Sequence, residues 1–167
     1  KNHYWYYPAT IGIWLLFDYL SYLKKNKTTL DLLINKQYKK FFNLYLALFV
    51  LGLLIEIIGR ILLKLWVYPF LNSITVNTII FLFYPFILMS FWELYNFCNS
   101  ISKNKILAFL LSMILGIIIW ETPNIYSKDW VYTIPYVNIE IFHINIIVII
   151  GWSILILGPL YVYNKKL

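Results

Sequence analysis

The sequence predicts an all-α fold: a polytopic transmembrane helical bundle forming one domain over residues 1–167. Three observations carry this. Hydrophobic residues make up 62% of the chain and charged residues 13%, whereas soluble domains have roughly 45–50% apolar and about 25% charged residues. The apolar residues gather in five runs close to the length of about 20 residues that a bilayer-spanning helix needs. The lysines fall between those runs rather than within them. Only helices or closed barrels satisfy their backbone in lipid, and the runs are too continuous for the alternating segments of barrel strands.

The first run, 8–23, is short and carries Asp18. That internal acid, with no small-residue cleavage site after it, argues for a span rather than a secretory signal. Residues 28–40 read as a short amphipathic interfacial helix built on Leu30, Leu32, Leu33, Ile34 and Tyr38, with Asp31 near its start. The second run, 41–63, holds Glu56 and Arg60. The third, 74–97, holds Glu93 and Pro85, and the proline is expected to kink it near mid-membrane. The fourth, 106–122, ends in Glu121 next to Pro123, which is expected to stop the helix, with Asn124 capping or turning the chain. The fifth, 141–163, has His143 at its start.

Orientation follows from the loops. Lys24, Lys25, Lys27, Lys36, Lys39, Lys40, Lys103, Lys105, Lys165 and Lys166 fall on one side, and Lys1, Lys64 and Lys128 on the other. The basic side is cytoplasmic by the positive-inside rule, so the N-terminus is expected outside and the C-terminus inside, in a multi-pass protein of the cell membrane. The aromatic content of 20% suits interfacial belts.

Cys98 is the one cysteine, which excludes an intrachain disulfide or a cysteine metal site. His143 has no ligand spacing around it and is expected to be a hydrogen-bonded structural residue. Walker A, HExxH, GxSxG and paired DxxD motifs are missing from the sequence. No metal, cofactor or nucleic-acid partner is expected, and the net charge of +7 reports topology.

Gly52, Trp66, Val67 and Tyr68 match Gly116, Trp130, Val131 and Tyr132 at an offset of 64 residues. Spans two and three would then repeat as spans four and five, in parallel about an axis along the membrane normal. Glu56 and Glu121 miss the offset by one residue, which a small insertion would explain.

The acids carry the functional question, since a carboxylate inside a membrane helix costs roughly 2.5–3.5 kcal/mol and usually pairs. Arg60 follows Glu56 by one turn in the favourable order. The two form either an ion pair that locks helix packing, with Gly52 admitting a neighbouring helix, or a carboxylate poised in an outward-opening pocket. Glu121 is either a solvated helix-end acid or part of one cavity with Asn124, Trp130, Tyr132 and the Glu56 group. Asp18 and Glu93 are expected to snorkel or to pair with nearby lysines, with Asn96 in the same polar layer.

The motif Trp120-Glu121, Asn124, Trp130, Tyr132 and Pro135 resembles a family of small polytopic membrane proteins found widely in prokaryotic genomes. The likeness extends to Asp18 and to Glu56, Trp66 and Tyr68 in the first half. The chain departs from it at Gly59 and Arg60, where an asparagine is expected, and the spacing to Trp66 is one residue longer. Trp66, Tyr68, Pro85 and Glu93 also have the order found in integral-membrane lycopene-cyclase-domain proteins, though the paired glutamates usual there are absent. That second resemblance implies isoprenoid chemistry by analogy only.

Three functions fit. In an enzyme acting on a lipid, such as an isoprenoid, Glu56, Glu121 and Glu93 would serve as acid and base. Arg60 would hold a carboxylate, Trp66, Tyr68, Trp130 and Tyr132 would line the pocket and stabilise developing positive charge, and Asn124 would orient the acid. Alternatively the protein is a non-catalytic subunit or assembly factor of a larger membrane complex. A small transporter, assembled as a homo-oligomer, would use Asp18, Glu56 and Glu93 as its pathway.

Overall fold

The computed structural model describes residues 6–70, 72–78, 82–134, 137, 139–141 and 144–166. The elements in order are α1 (Tyr6–Leu23), α2 (Thr29–Ile34), α3 (Tyr38–Ile55, continued by a π-helical stretch Glu56–Leu62), β1 (Trp66–Val67), α4 (Ser73–Thr78), α5 (Tyr84–Ser102), α6 (Lys105–Ser127), β2 (Val131–Tyr132), β3 (Glu140–Ile141), β4 (Ile144–Asn145) and α7 (Ile146–Lys166). The fold is all-α, with two short antiparallel strand pairs, β1–β2 and β3–β4.

Among the described residues, three stretches are long and apolar enough to cross a bilayer: Tyr38–Leu62, Lys105–Ser127 and Ile146–Asn164. Their outward faces are stripes of large aliphatic residues one turn apart. On α3 the stripe is Leu46, Val50, Leu54, Ile57 and Ile61; on α6 it is Leu107, Leu110, Ile114 and Ile118; on α7 it is Ile150, Ile154, Leu157 and Tyr161. Water would penalise such stripes at about 25 cal/mol per Å2, and hydrocarbon does not. These faces mark a membrane protein.

α5 is the hub. It packs against α1, α3, α6 and α7, and residues from Tyr84 to Leu94 are buried with the exception of Phe86. Surrounded by other helices, α5 can carry Ser90, Glu93, Asn96 and Asn99 without exposing them to lipid, as polar groups in membrane helices face the bundle interior. α1 turns its own buried polar residues, Asp18 and Ser21, toward α5. Small residues set the closest contacts. A Cβ on Gly52 of α3 would lie 2.7 Å from the Tyr84 ring, and one on Gly116 of α6 would lie 3.0 Å from the Trp152 ring, so α5 and α7 approach where a side chain would exclude them.

Several boundaries differ from the sequence reading, each for a local reason. α5 begins at Tyr84, directly after π-helical Leu82–Phe83, with Pro85 as its second residue. Pro123 does not stop α6, which runs on to Ser127. It forfeits only the bond to the Ile119 carbonyl, and the helix ends on Lys128 in the left-handed region, φ 56°. The helix of the fifth run, α7, begins at Ile146, because Glu140–Ile141 and Ile144–Asn145 form the β3–β4 pair. The interfacial segment is not one helix: Thr29–Ile34 form α2, and residues 38–40 already belong to α3. Thr28 accepts from the Asp31 amide while Asp31 accepts from the Thr28 amide, a capping box. His143 and Pro135 lie outside the described residues.

Candidate functional site

Four acids that the sequence singles out end in three places. Asp18 and Glu93 meet at the end of the bundle that carries α2. The Thr29 amide donates to Glu93 Oε1 at 2.7 Å, the Thr29 hydroxyl donates to Asp18 Oδ2 at 2.8 Å, and the Leu30 amide donates to the same oxygen at 2.9 Å. Trp14 Nε1 donates to the Thr29 hydroxyl at 2.7 Å. Glu93 is fully buried and keeps Oε2 without a hydrogen-bond partner. The two acids therefore fasten α2 to α1 and α5 instead of snorkelling to lysines. Asn96 joins this layer through its carbonyl, which accepts from Asn26 Nδ2 at 3.3 Å.

Glu56, buried in the π-helical stretch, accepts from Arg60 Nε at 2.7 Å on Oε2 and from the Tyr68 hydroxyl at 2.7 Å on Oε1. The guanidinium also lies over the Tyr68 ring, 5.8 Å from its centroid. Both carboxylate oxygens are thus engaged by residues of their own hairpin.

Glu121 occupies a different setting. The Tyr132 hydroxyl donates to its Oε1 at 2.5 Å and Trp152 Nε1 donates to the same atom at 3.3 Å. Trp130 Nε1 donates in turn to the Tyr132 hydroxyl at 3.1 Å. Asn124, one turn past Glu121, grips the Trp130 main chain in both directions, donating to its carbonyl at 3.0 Å and accepting from its amide at 3.1 Å. Asn124 therefore places the aromatic triplet that holds the acid. Tyr132 and Trp152 donate to the acid directly, and Trp130 and Asn124 also stand close enough to stabilise its charge.

Beside Glu121 lies a cavity of about 370 Å3, within the range of about 300–1,000 Å3 usual for small-molecule sites. α3 contributes Leu51, Ile55 and Ile58, α5 contributes Tyr84, Ile87 and Phe91, and α7 contributes Val148, Gly151 and Trp152. Phe91, Trp120 and Trp152 form an aromatic floor, the Phe91 and Trp152 rings meeting edge to face at 5.3 Å. The strand pair β1–β2 covers the cavity, with Trp66 opposite Tyr132 and Val67 opposite Val131. The cover is fastened at its edge by the Thr133 amide donating to the Leu65 carbonyl at 2.9 Å and the Thr133 hydroxyl donating to the Lys64 carbonyl at 2.6 Å. Among the described residues Glu121 is the one acid that lines the cavity, and no Lys, Arg or His does.

Of the residues proposed from sequence, Glu121, Trp66, Tyr68, Trp130 and Tyr132 line one chamber. Glu56 and Arg60 touch it through Tyr68, and Glu93 belongs to the α2 cluster. Sequence reasoning did not single out Trp152, Phe91 or Gly151. A tryptophan placed mid-span, away from both interfacial belts, is a signal that could have drawn attention to Trp152. No group of three or more His, Cys, Asp or Glu side chains able to hold a metal occurs among the described residues.

Comparisons with protein-family models, with curated proteins and with solved structures find no match for this chain.

Proposed function

We propose that the protein is a multi-pass enzyme of the cell membrane that performs proton-transfer chemistry on the hydrocarbon of a lipid, with Glu121 as the acid and base. The observation that carries the reading is a single buried carboxylate, positioned by Tyr132 and Trp152, on the wall of an otherwise apolar, aromatic-lined cavity. A neutral carboxylic acid there delivers its proton to one carbon of an alkene, leaving positive charge on the neighbouring carbon. The faces of Trp120, Trp130 and Trp152 stabilise that charge. The carboxylate then removes a proton from an adjacent carbon. Atoms balance without a co-reactant, and the net change is a double-bond shift or a ring closure of an isoprenoid-like chain.

The five-span arrangement belongs to this reading. α1 and α5, with 18 and 19 residues, extend about 27–29 Å, close to the hydrocarbon thickness of about 30 Å. Their polar residues face each other rather than lipid. The lysine distribution then puts the α2 cluster at the cytoplasmic face and the cavity just beneath the outer face, with the N-terminus outside and the C-terminus inside. An ancestral duplication is supported by strand register. Val67 pairs with Val131, its own counterpart at the offset of 64, as a two-fold axis through the pair requires. Each glutamate also accepts from the tyrosine of its own triplet. The extra residue between Glu56 and Tyr68 falls where the helix is π-wound, and π-bulges accommodate such insertions.

The test is deuterium uptake. Purified protein in lipid nanodiscs, supplied with polyprenyl and carotenoid-type lipids in D2O, is expected to place deuterium on lipid carbon, read by mass spectrometry. Glu121→Gln is expected to abolish uptake while unfolding at the parent temperature. Uptake that persists in Glu121→Gln refutes the assignment, and a parent protein inert toward every lipid offered favours the complex-subunit reading.

A further inference from the structure

Glycine normally marks a close approach in this fold, and Gly151 does not. A Cβ on Gly52, Gly59, Gly116 or Gly158 would press on Tyr84, Trp66, Trp152 or Leu51 respectively, whereas one on Gly151 would meet nothing within 4 Å. Gly151 lies on the cavity wall, so the space in front of it is the cavity itself. Gly12 on α1 also meets nothing, but it is not among the cavity residues.

The position of Gly151 on α7 matters because of how α3 and α7 cross. At Gly158 the two helices touch, a Cβ there falling 2.9 Å from Leu51 Cδ2. Gly151 is about 10 Å farther along α7 toward the outer face, where the cavity separates the helices. The lining residues that are also exposed are Ile58 and Leu63 at the end of α3 and Ile154 on α7. The cover residues Trp66, Tyr68, Trp130 and Tyr132 are each only partly exposed. The opening therefore faces sideways, between two helices whose outer surfaces are lipid-facing aliphatic stripes.

We infer that the cavity is entered laterally from the outer leaflet, through a portal between α3 and α7, by the hydrocarbon tail of a lipid with an uncharged head, and that Gly151 is the residue that keeps the portal open to the chain. The uncharged head follows from the lining. A phosphate carried inward would meet Glu121 with no Lys, Arg or His among the described lining residues to compensate, and an unpaired charge is costly in such surroundings. The inference rests on reading the cavity as a lipid site, and it does not depend on turnover.

The experiment is photolabelling in phosphatidylcholine nanodiscs with three diazirine-tailed probes: a polyprenol, the matching polyprenyl phosphate, and a phosphatidylcholine. The polyprenol is expected to label the parent protein at Ile58, at Ile154 and in the segment holding Gly151. That labelling is expected to fall about tenfold or more in Gly151→Leu, to stay unchanged in Gly12→Leu, and to persist in Glu121→Gln. Undiminished labelling of Gly151→Leu overturns the portal. So do polyprenol adducts spread evenly over Leu46, Leu54 and Ile150, a result read on the parent alone whether or not the variant folds. Equal labelling of the cavity by the polyprenyl phosphate or the phosphatidylcholine overturns the uncharged class. A parent protein that is labelled by the polyprenol but places no deuterium on lipid carbon would refute only the chemical reading of Glu121.

Discussion

Replacing Arg60 with methionine isolates what the Glu56–Arg60 pair does. Methionine keeps most of the apolar stem and removes the charge. Glu56 is 2% exposed and would then retain only the Tyr68 hydroxyl as a donor. Breaking a buried ion pair by deleting one member costs about 3–5 kcal/mol, because the surviving charge is stranded. The Arg60 side chain is 30% exposed, so solvent already screens part of the attraction, and the cost is reduced to about 1–3 kcal/mol. In a chain of this size, 1 kcal/mol moves the melting temperature by about 2–4 °C. Arg60→Met should therefore melt roughly 5 °C below the parent in thermal unfolding followed by tryptophan fluorescence. Glu56→Gln should lose less, since glutamine still accepts from Tyr68 and leaves a partly solvated arginine. The double variant should melt close to Glu56→Gln alone, because no stranded carboxylate remains. The coupling energy of the cycle should then be nearly the whole Arg60 effect. Additive losses in the double variant, or an Arg60→Met protein indistinguishable from the parent, would refute the assignment of Arg60 as the counter-charge of Glu56.

Two further outcomes follow from the same geometry. Thr29→Val keeps the shape of the side chain but removes the hydroxyl that donates to Asp18 and accepts from Trp14. Each buried partner left unsatisfied costs about 1–3 kcal/mol, so the variant should melt earlier and the lysines flanking α2 should be cut faster by trypsin, while Thr29→Ser behaves like the parent. Lys103 ends α5 in the left-handed region, φ 53°. Lys103→Gly should relieve about 1 kcal/mol of backbone strain and raise the melting temperature by about 2–4 °C in the same assay.

The apolar helices were legible because hydrophobic length is a direct signal of the bilayer, and α3, α6 and α7 follow their runs closely. The signal weakens where an apolar stretch is not helical. Glu140, Ile141, Ile144 and Asn145 sit in a run rich in isoleucine, yet they form strands, and β-branched residues suit either state. Pro123 was read by the usual effect of proline, although the outcome depends on position along a helix, and Pro123 lies near the end of α6. The aromatic cover was legible as two copies of one triplet, but not the pairing of the copies. Trp66 lies 66 residues from its partner Tyr132, and nothing local in the sequence encodes that contact. The partner of Glu93 was equally hidden, because Thr29 is 64 residues away and reaches the acid through a backbone amide, which any residue could supply.

Asp18, Glu56, Glu93 and Glu121, four of the five buried carboxylates among the described residues (Asp129 is the fifth), face one physical demand, since each must be neutralised or hydrogen-bonded in low dielectric. Their different answers narrow where acid chemistry can occur. Asp18 and Glu93 are met by the first amides of α2 and by Thr29, and what they gain is a fixed helix. Glu56 is met by a guanidinium and a phenol, and what it gains is a locked hairpin. Glu121 is met by neutral donors, foremost the Tyr132 phenol and the Trp152 indole, and among these four acids it is the one that lines the cavity. A carboxylate without a counter-charge can exchange a proton more readily than one held by arginine, because no ion pair must be broken. The cover connects two of these acids: Tyr68 follows β1 and Tyr132 lies in β2, and they donate to Glu56 and Glu121. In the function proposed above, the Glu56–Arg60 unit would steady the strand pair from which Tyr132 reaches the acid, anchoring falling to the first acid and chemistry to the second.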